Sequence, residues 1–145
     1  MSRSTSRALD LDPQNFIDWI EDLVKKGKIS DEVTIRRAIS AIYFALFNYW
    51  AGKRYDMGMR ARGPLKDRFK YSQFHSELLS KGLDAEVVLL YIYRVAADHY
   101  LLNPTRIEIF NKALRIKFGY IFQCKITLGI LTKIIQATRN ILAQI

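Results

Sequence analysis

The stretch from Ala38 to Trp50, AISAIYFALFNYW, decides the fold class of this chain. Apart from Ser40 and Asn48, its side chains are apolar or aromatic, so they would cover every side of an α-helix. Such a helix lies at the centre of a bundle or in a membrane, and this run is shorter than the roughly 20 residues that cross a bilayer. We therefore expect the core helix of a bundle, with one side free to meet another subunit.

Helix-capping residues on both sides of this stretch predict further helices. The predicted helices run over residues 12–27, 30–52, 72–82, 84–102 and 105–142. The last begins at a Thr105-Arg-Ile-Glu108 capping box and continues in pieces, with Gly119 and Gly129 as kinks or breaks. Its β-branched part also suits a strand, but no partner strand is evident elsewhere, so a buried helix is the consistent interpretation. The sequence thus predicts an all-α fold, an antiparallel bundle of four to five helices.

The composition indicates one domain with an anionic partner. The chain has 145 residues, half of them hydrophobic, and we expect a flexible basic tail over 1–11 and the bundle over 12–145. A net charge of +9 and a pI near 9.8 suit a nucleic acid, an anionic membrane surface or an acidic protein.

The cysteine count and the absence of targeting signals in the sequence indicate the cellular compartment of the protein. The lone Cys124 excludes an internal disulfide and is typical of a small core residue. No metal-ligand spacing, signal peptide or apolar run of bilayer length is present, so we expect a cytoplasmic protein with no cofactor, no metal and no membrane segment.

The predicted loop from Ala51 to Lys70 is the most basic stretch of the chain. It is either a solvated loop or an arm that contacts phosphate groups. In the second interpretation its RNA-binding residues are Arg54, Arg60, Arg62, Lys66, Arg68 and Lys70.

Arg94 stands among apolar residues of the predicted helix 84–102. A guanidinium in such surroundings is costly unless it is paired, and Asp98 lies one turn further on the same face. His99 is rotated from Arg94 by roughly 140° on an ideal helix. The two residues would meet at one ligand if the helix end is distorted, or if a second subunit brings its own pair opposite.

Three segments resemble the HEPN family of helical bundles. Arg94-Val-Ala-Ala-Asp-His99 fits the family's Arg-x-x-x-x-His pattern, and residues 97–104 look like its Ala-Asp-Tyr ending. Residues 37–47 resemble the family's core helix, and residues 75–78 resemble its short histidine-containing helix. The order and spacing of these segments agree with the family.

The resemblance covers about residues 31–108 and implies a dimeric bundle of four or five helices. Many members are metal-independent endoribonucleases that serve as toxins, CRISPR effectors or defence factors, and others are non-catalytic partners of minimal nucleotidyltransferases. In active members the Arg and His of two subunits meet at the dimer cleft. The resemblance therefore implies catalytic roles for Arg94 and His99, with Asp98 and Tyr100 in support.

These residue types suit RNA cleavage. The 2′-hydroxyl of RNA can act as the nucleophile, a histidine can move the protons, and a guanidinium can bind the phosphate. Val95 stands where active members often carry Asn, Asp or His, which leaves open a binding or regulatory module that partners RNA or a nucleotidyltransferase. A third interpretation is a purely structural dimer, with Arg94–Asp98 as an ion pair and His99 as a helix-end cation. His75 is expected to be a surface or packing residue.

Overall fold

The computed structural model describes residues 12–58, 70–99, 106–111, 116–121 and 126–145. Within these ranges the chain forms five helices and a β-hairpin between the fourth and the fifth. The elements are α1 (Pro13–Lys25), α2 (Glu32–Asp56), α3 (Tyr71–Ser80), α4 (Asp84–His99), β1 (Arg106–Asn111), β2 (Ile116–Ile121) and α5 (Leu128–Leu142). The predicted helical bundle is confirmed.

Side-chain caps begin three of the helices. Oxygens of Asp12, Asp31 and Thr127 accept hydrogen bonds from backbone N–H groups in the first turns of α1, α2 and α5. The caps of α1 and α2 are those that the sequence predicted. α3 starts one residue before the predicted cap, and there the side chain of Gln73 accepts a 2.9 Å hydrogen bond from the backbone N–H of Lys70.

α2 is the central helix of the bundle, as predicted. It packs against α1, α3, α4 and α5, and its buried residues face all of these neighbours. The largest of them, Tyr43 and Trp50, are at most 1% exposed, and each aromatic ring of this size buries about 150–250 Å². The helix also continues to Asp56, so the predicted loop from Ala51 begins later than the sequence indicated.

The prediction of a helix directly after α4 is wrong. In place of a helix from Thr105, β1 and β2 pair antiparallel in a register that runs from Arg106 opposite Ile121 to Asn111 opposite Ile116. Antiparallel strands need only a short connection, so the partner strand lies within the same segment. Gly119 is a strand residue opposite Glu108 and does not kink a helix.

The predicted helix over 105–142 is confirmed at its C-terminal end but not at its start. α5 starts after Thr127, contains Gly129 in its first turn without a break, and ends at Leu142. No helix in the described ranges combines the length and the apolarity needed to cross a membrane. Several predicted features lie outside the described residues: the tail 1–11, Tyr100, Cys124 and the loop cations Arg60, Arg62, Lys66 and Arg68.

Candidate functional site

The guanidinium of Arg94 lies in an aromatic pocket. Its carbon Cζ is 5.0 Å from the ring centroid of Tyr43 and 5.9 Å from those of Tyr71 and Tyr91. The side chain is 17% exposed, so the cation is partly removed from water while ring faces from α2, α3 and α4 stabilise it. The packing of three helices therefore fixes the position of this charge.

The predicted pairing of Arg94 with Asp98 is confirmed, but the contact is long. Nη1 of Arg94 and Oδ2 of Asp98 are 3.5 Å apart, which is the outer limit for a hydrogen bond. The buried Nε of Arg94 has no acceptor among the described residues. Leaving such a donor unpaired costs about 1–3 kcal/mol. The 17% of the side chain that is exposed is the part that an oxygen anion could contact.

A second polar contact is made by Tyr43, the ring nearest to this guanidinium. The hydroxyl of Tyr43 is 2.5 Å from Nε2 of His75, and both side chains are buried. Burial, and to a smaller extent the positive charge of Arg94, lower the pKa of His75 to about 4. Burial also raises the pKa of Tyr43, although Arg94 acts in the opposite direction. At neutral pH the imidazole is therefore uncharged and can accept the hydroxyl proton in a hydrogen bond.

His75 is thus a packing residue, as the sequence analysis expected, but one with a polar partner that the sequence did not reveal. Its ring packs edge-on against Tyr91, with the centroids 5.6 Å apart and an interplanar angle of 80°. Its apolar neighbours in α3, Phe74 and Leu78, are fully buried. The apolar residues on both sides of His75 in the sequence were therefore the available signal for a histidine that faces the core.

His99 and Arg94 do not meet within one chain. His99 is exposed and is the last residue of α4, whereas the contacts of Arg94 in the described part of the chain are with Asp98 and the tyrosines. The distorted helix end that would bring the two side chains together is not present up to residue 99. Any shared ligand must therefore reach both groups, or a second copy must supply one of them.

Arg36 holds the end of α4 that carries these residues, and the sequence analysis missed it. Its Nη1 donates to the carbonyl oxygens of Ala96 and Ala97 at 2.6 and 3.2 Å, and its Nε donates to Glu32 at 3.1 Å. The carbonyl groups in the last turn of a helix lack partners within the helix and carry partial negative charge, so a buried cation stabilises them. The available signal was a charged side chain next to the apolar run that begins at Ala38, much as Arg94 stands among apolar residues.

An open groove of about 710 Å³ lies between α2 and the end of α4. Its lining residues are Val33, Arg36, Arg37, Ser40, Ala41, Phe44, Ala97 and Asp98. Val33 and Phe44 are exposed to solvent at 66% and 36%, and Arg37 is also exposed. Because Asp98 both lines the groove and pairs with Arg94, the groove adjoins the aromatic pocket. It offers apolar walls, cations, a hydroxyl and a carboxylate.

The structure places the described loop cations in two different environments. Arg54 is buried in α2, where Nε donates to Oε1 of Glu77 at 2.5 Å and Nη2 pairs with Oε2. The predicted RNA-binding role of Arg54 is therefore corrected to a structural ion pair, because α2 extends through this position. Lys70 is exposed immediately before α3, where it remains available to an anion.

Comparisons of this chain with family models, with curated proteins and with solved structures give no match. Among the described residues, no cluster of three or more His, Cys, Asp or Glu side chains could hold a metal ion. Arg94, its aromatic pocket and the adjoining groove form the candidate functional site.

Proposed function

We propose that this protein is a HEPN-like, metal-independent endoribonuclease of the toxin or defence type that acts as a homodimer. The observation that carries the proposal is the largely buried guanidinium of Arg94, which lies among three tyrosine rings and makes only a long contact with Asp98. A phosphodiester offers two anionic oxygens to such a group, and guanidinium–phosphate pairs are charge-assisted and directional. The net charge of +9 favours the same class of ligand.

The proposed chemistry uses the substrate's own nucleophile. The 2′-oxygen bonds to phosphorus as the bond to the 5′-oxygen breaks, which leaves a 2′,3′-cyclic phosphate and a 5′-hydroxyl. The His99 of one copy takes the proton from the 2′-hydroxyl, and water gives a proton to the leaving 5′-oxygen. Arg94 binds the phosphate and stabilises the negative charge that develops on it.

The separation of the two side chains supports the proposed homodimer. Since His99 is exposed at the end of α4 and does not contact Arg94, a two-fold arrangement would bring the imidazole of one copy to the guanidinium of the other. The exposed Val33 and Phe44 beside the groove are apolar surface that a second copy would cover.

Cleavage of RNA in EDTA tests the proposal. The wild-type protein should cut RNA without added metal, and the fragments should end in a 2′,3′-cyclic phosphate. Arg94→Ala and His99→Ala should each lower the cleavage rate at least about 100-fold, the usual range for losing a proton-transfer or charge-stabilising group. Lys133→Ala, which removes an exposed cation of α5, serves as the control and should cleave at the wild-type rate. Intact RNA beside an active control nuclease contradicts the proposal.

Mixed dimers test whether the site is shared between two copies. Arg94→Ala and His99→Ala proteins are inactive alone, but a heterodimer of the two retains one site with an intact Arg94 and an intact His99 from different chains. Mixing them after partial unfolding and refolding should therefore restore a fraction of the activity. No recovery, with heterodimer formation verified by mass, would place both groups of a site in one chain.

A non-catalytic binding module is the second candidate. Val95 has no side-chain hydrogen-bonding group, and Arg94 is packed among tyrosines and away from His99. In that case the protein binds RNA or a minimal nucleotidyltransferase without turnover. RNA binding that Arg94→Ala weakens, together with the absence of cleavage in every dimeric preparation, would favour this candidate over the nuclease.

A further inference from the structure

We propose that Tyr43 and His75 are positioning residues for Arg94, and that this buried pair, more than the ion pair with Asp98, fixes the orientation of the guanidinium toward its anion. The inference rests on the proposed role of Arg94 as a phosphate ligand. It assigns a function to a tyrosine and a histidine that do not themselves reach the anion.

Tyr43 is the closest ring to the cation and is itself held on several sides. Its centroid is 5.0 Å from Cζ of Arg94, 5.8 Å from the ring of Tyr71 and 6.4 Å from that of Phe74, which it meets edge-on at 78°. Its hydroxyl is anchored by the 2.5 Å contact with His75. A side chain with its ring packed and its hydroxyl bound keeps a single orientation, so the ring face offered to Arg94 is also fixed.

His75 of α3 contacts both α2 and α4. Its ring contacts Phe74 of its own helix at 5.8 Å and Tyr91 of α4 at 5.6 Å, and Tyr91 lies within 5.9 Å of Arg94. The contacts therefore run from α2 through α3 to α4 and back to the guanidinium. Because the pKa of His75 is lowered to about 4, the ring is neutral at physiological pH and does not repel the cation above it.

The ion pair with Asp98 is a weaker restraint. The two side chains lie on the same helix, their closest atoms are 3.5 Å apart, and that of Asp98 is 28% exposed. A single contact at this distance contributes little, and water competes for the partly exposed carboxylate. Removing the hydroxyl of Tyr43 should therefore disturb Arg94 more than removing the charge of Asp98 does.

Solvent exchange of the Arg94 Nε–H, measured by NMR, tests positioning without any reference to RNA. The resonance is identified by its loss in Arg94→Ala. We expect exchange to be at least about 10-fold faster in Tyr43→Phe and in His75→Phe than in the wild type, and less than about 3-fold faster in Asp98→Asn. Tyr49→Phe removes a hydroxyl from a half-buried tyrosine of the same helix and should leave the rate unchanged. If His75→Phe does not fold, His75→Gln, which keeps an acceptor, should give an intermediate rate.

The second measurement is a double-mutant cycle on RNA binding and single-turnover cleavage. Tyr43→Phe should weaken phosphate-dependent binding or slow cleavage about 10-fold in the wild-type background, and should have no further effect in Arg94→Ala. Equal losses in both backgrounds would show a general structural role and overturn the proposal.

The two measurements separate failure of the inference from failure of the proposed function. If the wild type neither binds nor cuts RNA, the proposed function fails, and the exchange rates alone decide whether Tyr43 and His75 hold Arg94. Unchanged exchange in Tyr43→Phe and in the folded His75 variant overturns the inference even when RNA is cleaved.

Discussion

The guanidinium of Arg36 donates a 2.6 Å hydrogen bond to the carbonyl oxygen of Ala96, 60 residues further along the chain. This contact joins the first turns of the core helix α2 to the last turn of α4. Arg94 and His99, the two residues of the proposed nuclease site, lie on either side of that junction. The geometry of the site therefore depends on a buried cation that takes no part in the chemistry.

Replacing Arg36 should destabilise the fold strongly. In Arg36→Met the carbonyl groups of Ala96 and Ala97 lose these hydrogen bonds and the ion pair with Glu32 is lost, so we expect the free energy of unfolding to fall by about 3 kcal/mol. Urea denaturation measures this loss. Arg37→Met, at the exposed neighbouring position, is the matched control and should change stability by less than about 0.5 kcal/mol. Equal effects of the two substitutions would refute a capping role.

The stability of the protein should decrease as the pH falls from about 6.5 towards 4. Burial lowers the pKa of His75 to about 4, whereas in the unfolded chain it lies near the ordinary 6.5. Between these values the unfolded chain binds a proton that the folded chain excludes, so stability is full above pH 6.5 and is lost as the pH falls. A shift of this size corresponds to about 3 kcal/mol.

Urea denaturation at several pH values between 7 and 4.5 measures this loss. His75→Gln removes the titrating group and should flatten the curve over this range. His99→Gln, at the exposed histidine, should keep the wild-type slope. If His75→Gln retains the wild-type slope, another group causes the loss of stability.

The bundle could be predicted because the hydrophobic pattern of one stretch strongly favours it. The side chains of Ala38–Trp50 are apolar nearly all round the helix, and the run is too short for a bilayer, which favours the centre of a bundle. The hairpin was missed because Thr105-Arg-Ile-Glu108 satisfies the rule for a helix start, while its neighbours Arg106-Ile-Glu-Ile109 also alternate as a strand does. Local pairing with 116–121 decided between two patterns that the sequence leaves nearly balanced.

The candidate site was only partly predictable, for a related reason. The pairing of Arg94 with Asp98 follows from helical spacing and could be deduced. The contact of Tyr43 with His75 joins two helices across 32 residues and depends on how α3 packs on α2, which no local rule specifies. For the same reason Arg54 was assigned to RNA when its charge is in fact taken up by Glu77.

Glu77→Gln should destabilise the protein more than loss of an exposed ion pair. Burial raises the pKa of Glu77, but the hydrogen bonds from Arg54 and Trp50 and the charges of Arg54 and Lys81 together lower it by more, so the net shift is downward. The side chain of Arg54 is only 9% exposed, and loss of its anion leaves a desolvated cation, at a cost of about 1–3 kcal/mol. Thermal or urea unfolding gives the value.

Asp22→Asn is the control for this substitution. It breaks the pair of Asp22 with Lys26, whose side chains are 52% and 64% exposed. Pairs of this kind contribute about 0–1 kcal/mol. A loss in Glu77→Gln no larger than that in Asp22→Asn would show that the contact with Arg54 is as weak as a surface pair.

The salt dependence of RNA binding should separate the cations that contact phosphate from those that hold the fold. For a single strand, each phosphate contact contributes about 0.7 to the slope of log affinity against log salt. Arg94→Ala and Lys70→Ala should each reduce that slope by about this amount. The guanidinium of Arg94 lacks a full set of acceptors among the described residues, and the ammonium group of Lys70 is exposed. Arg54→Met should leave the slope unchanged while lowering stability, since its charge is already neutralised by Glu77. A reduced slope in Arg54→Met would contradict its assignment to the fold, and an unchanged slope in Arg94→Ala would contradict the assignment of phosphate binding to Arg94.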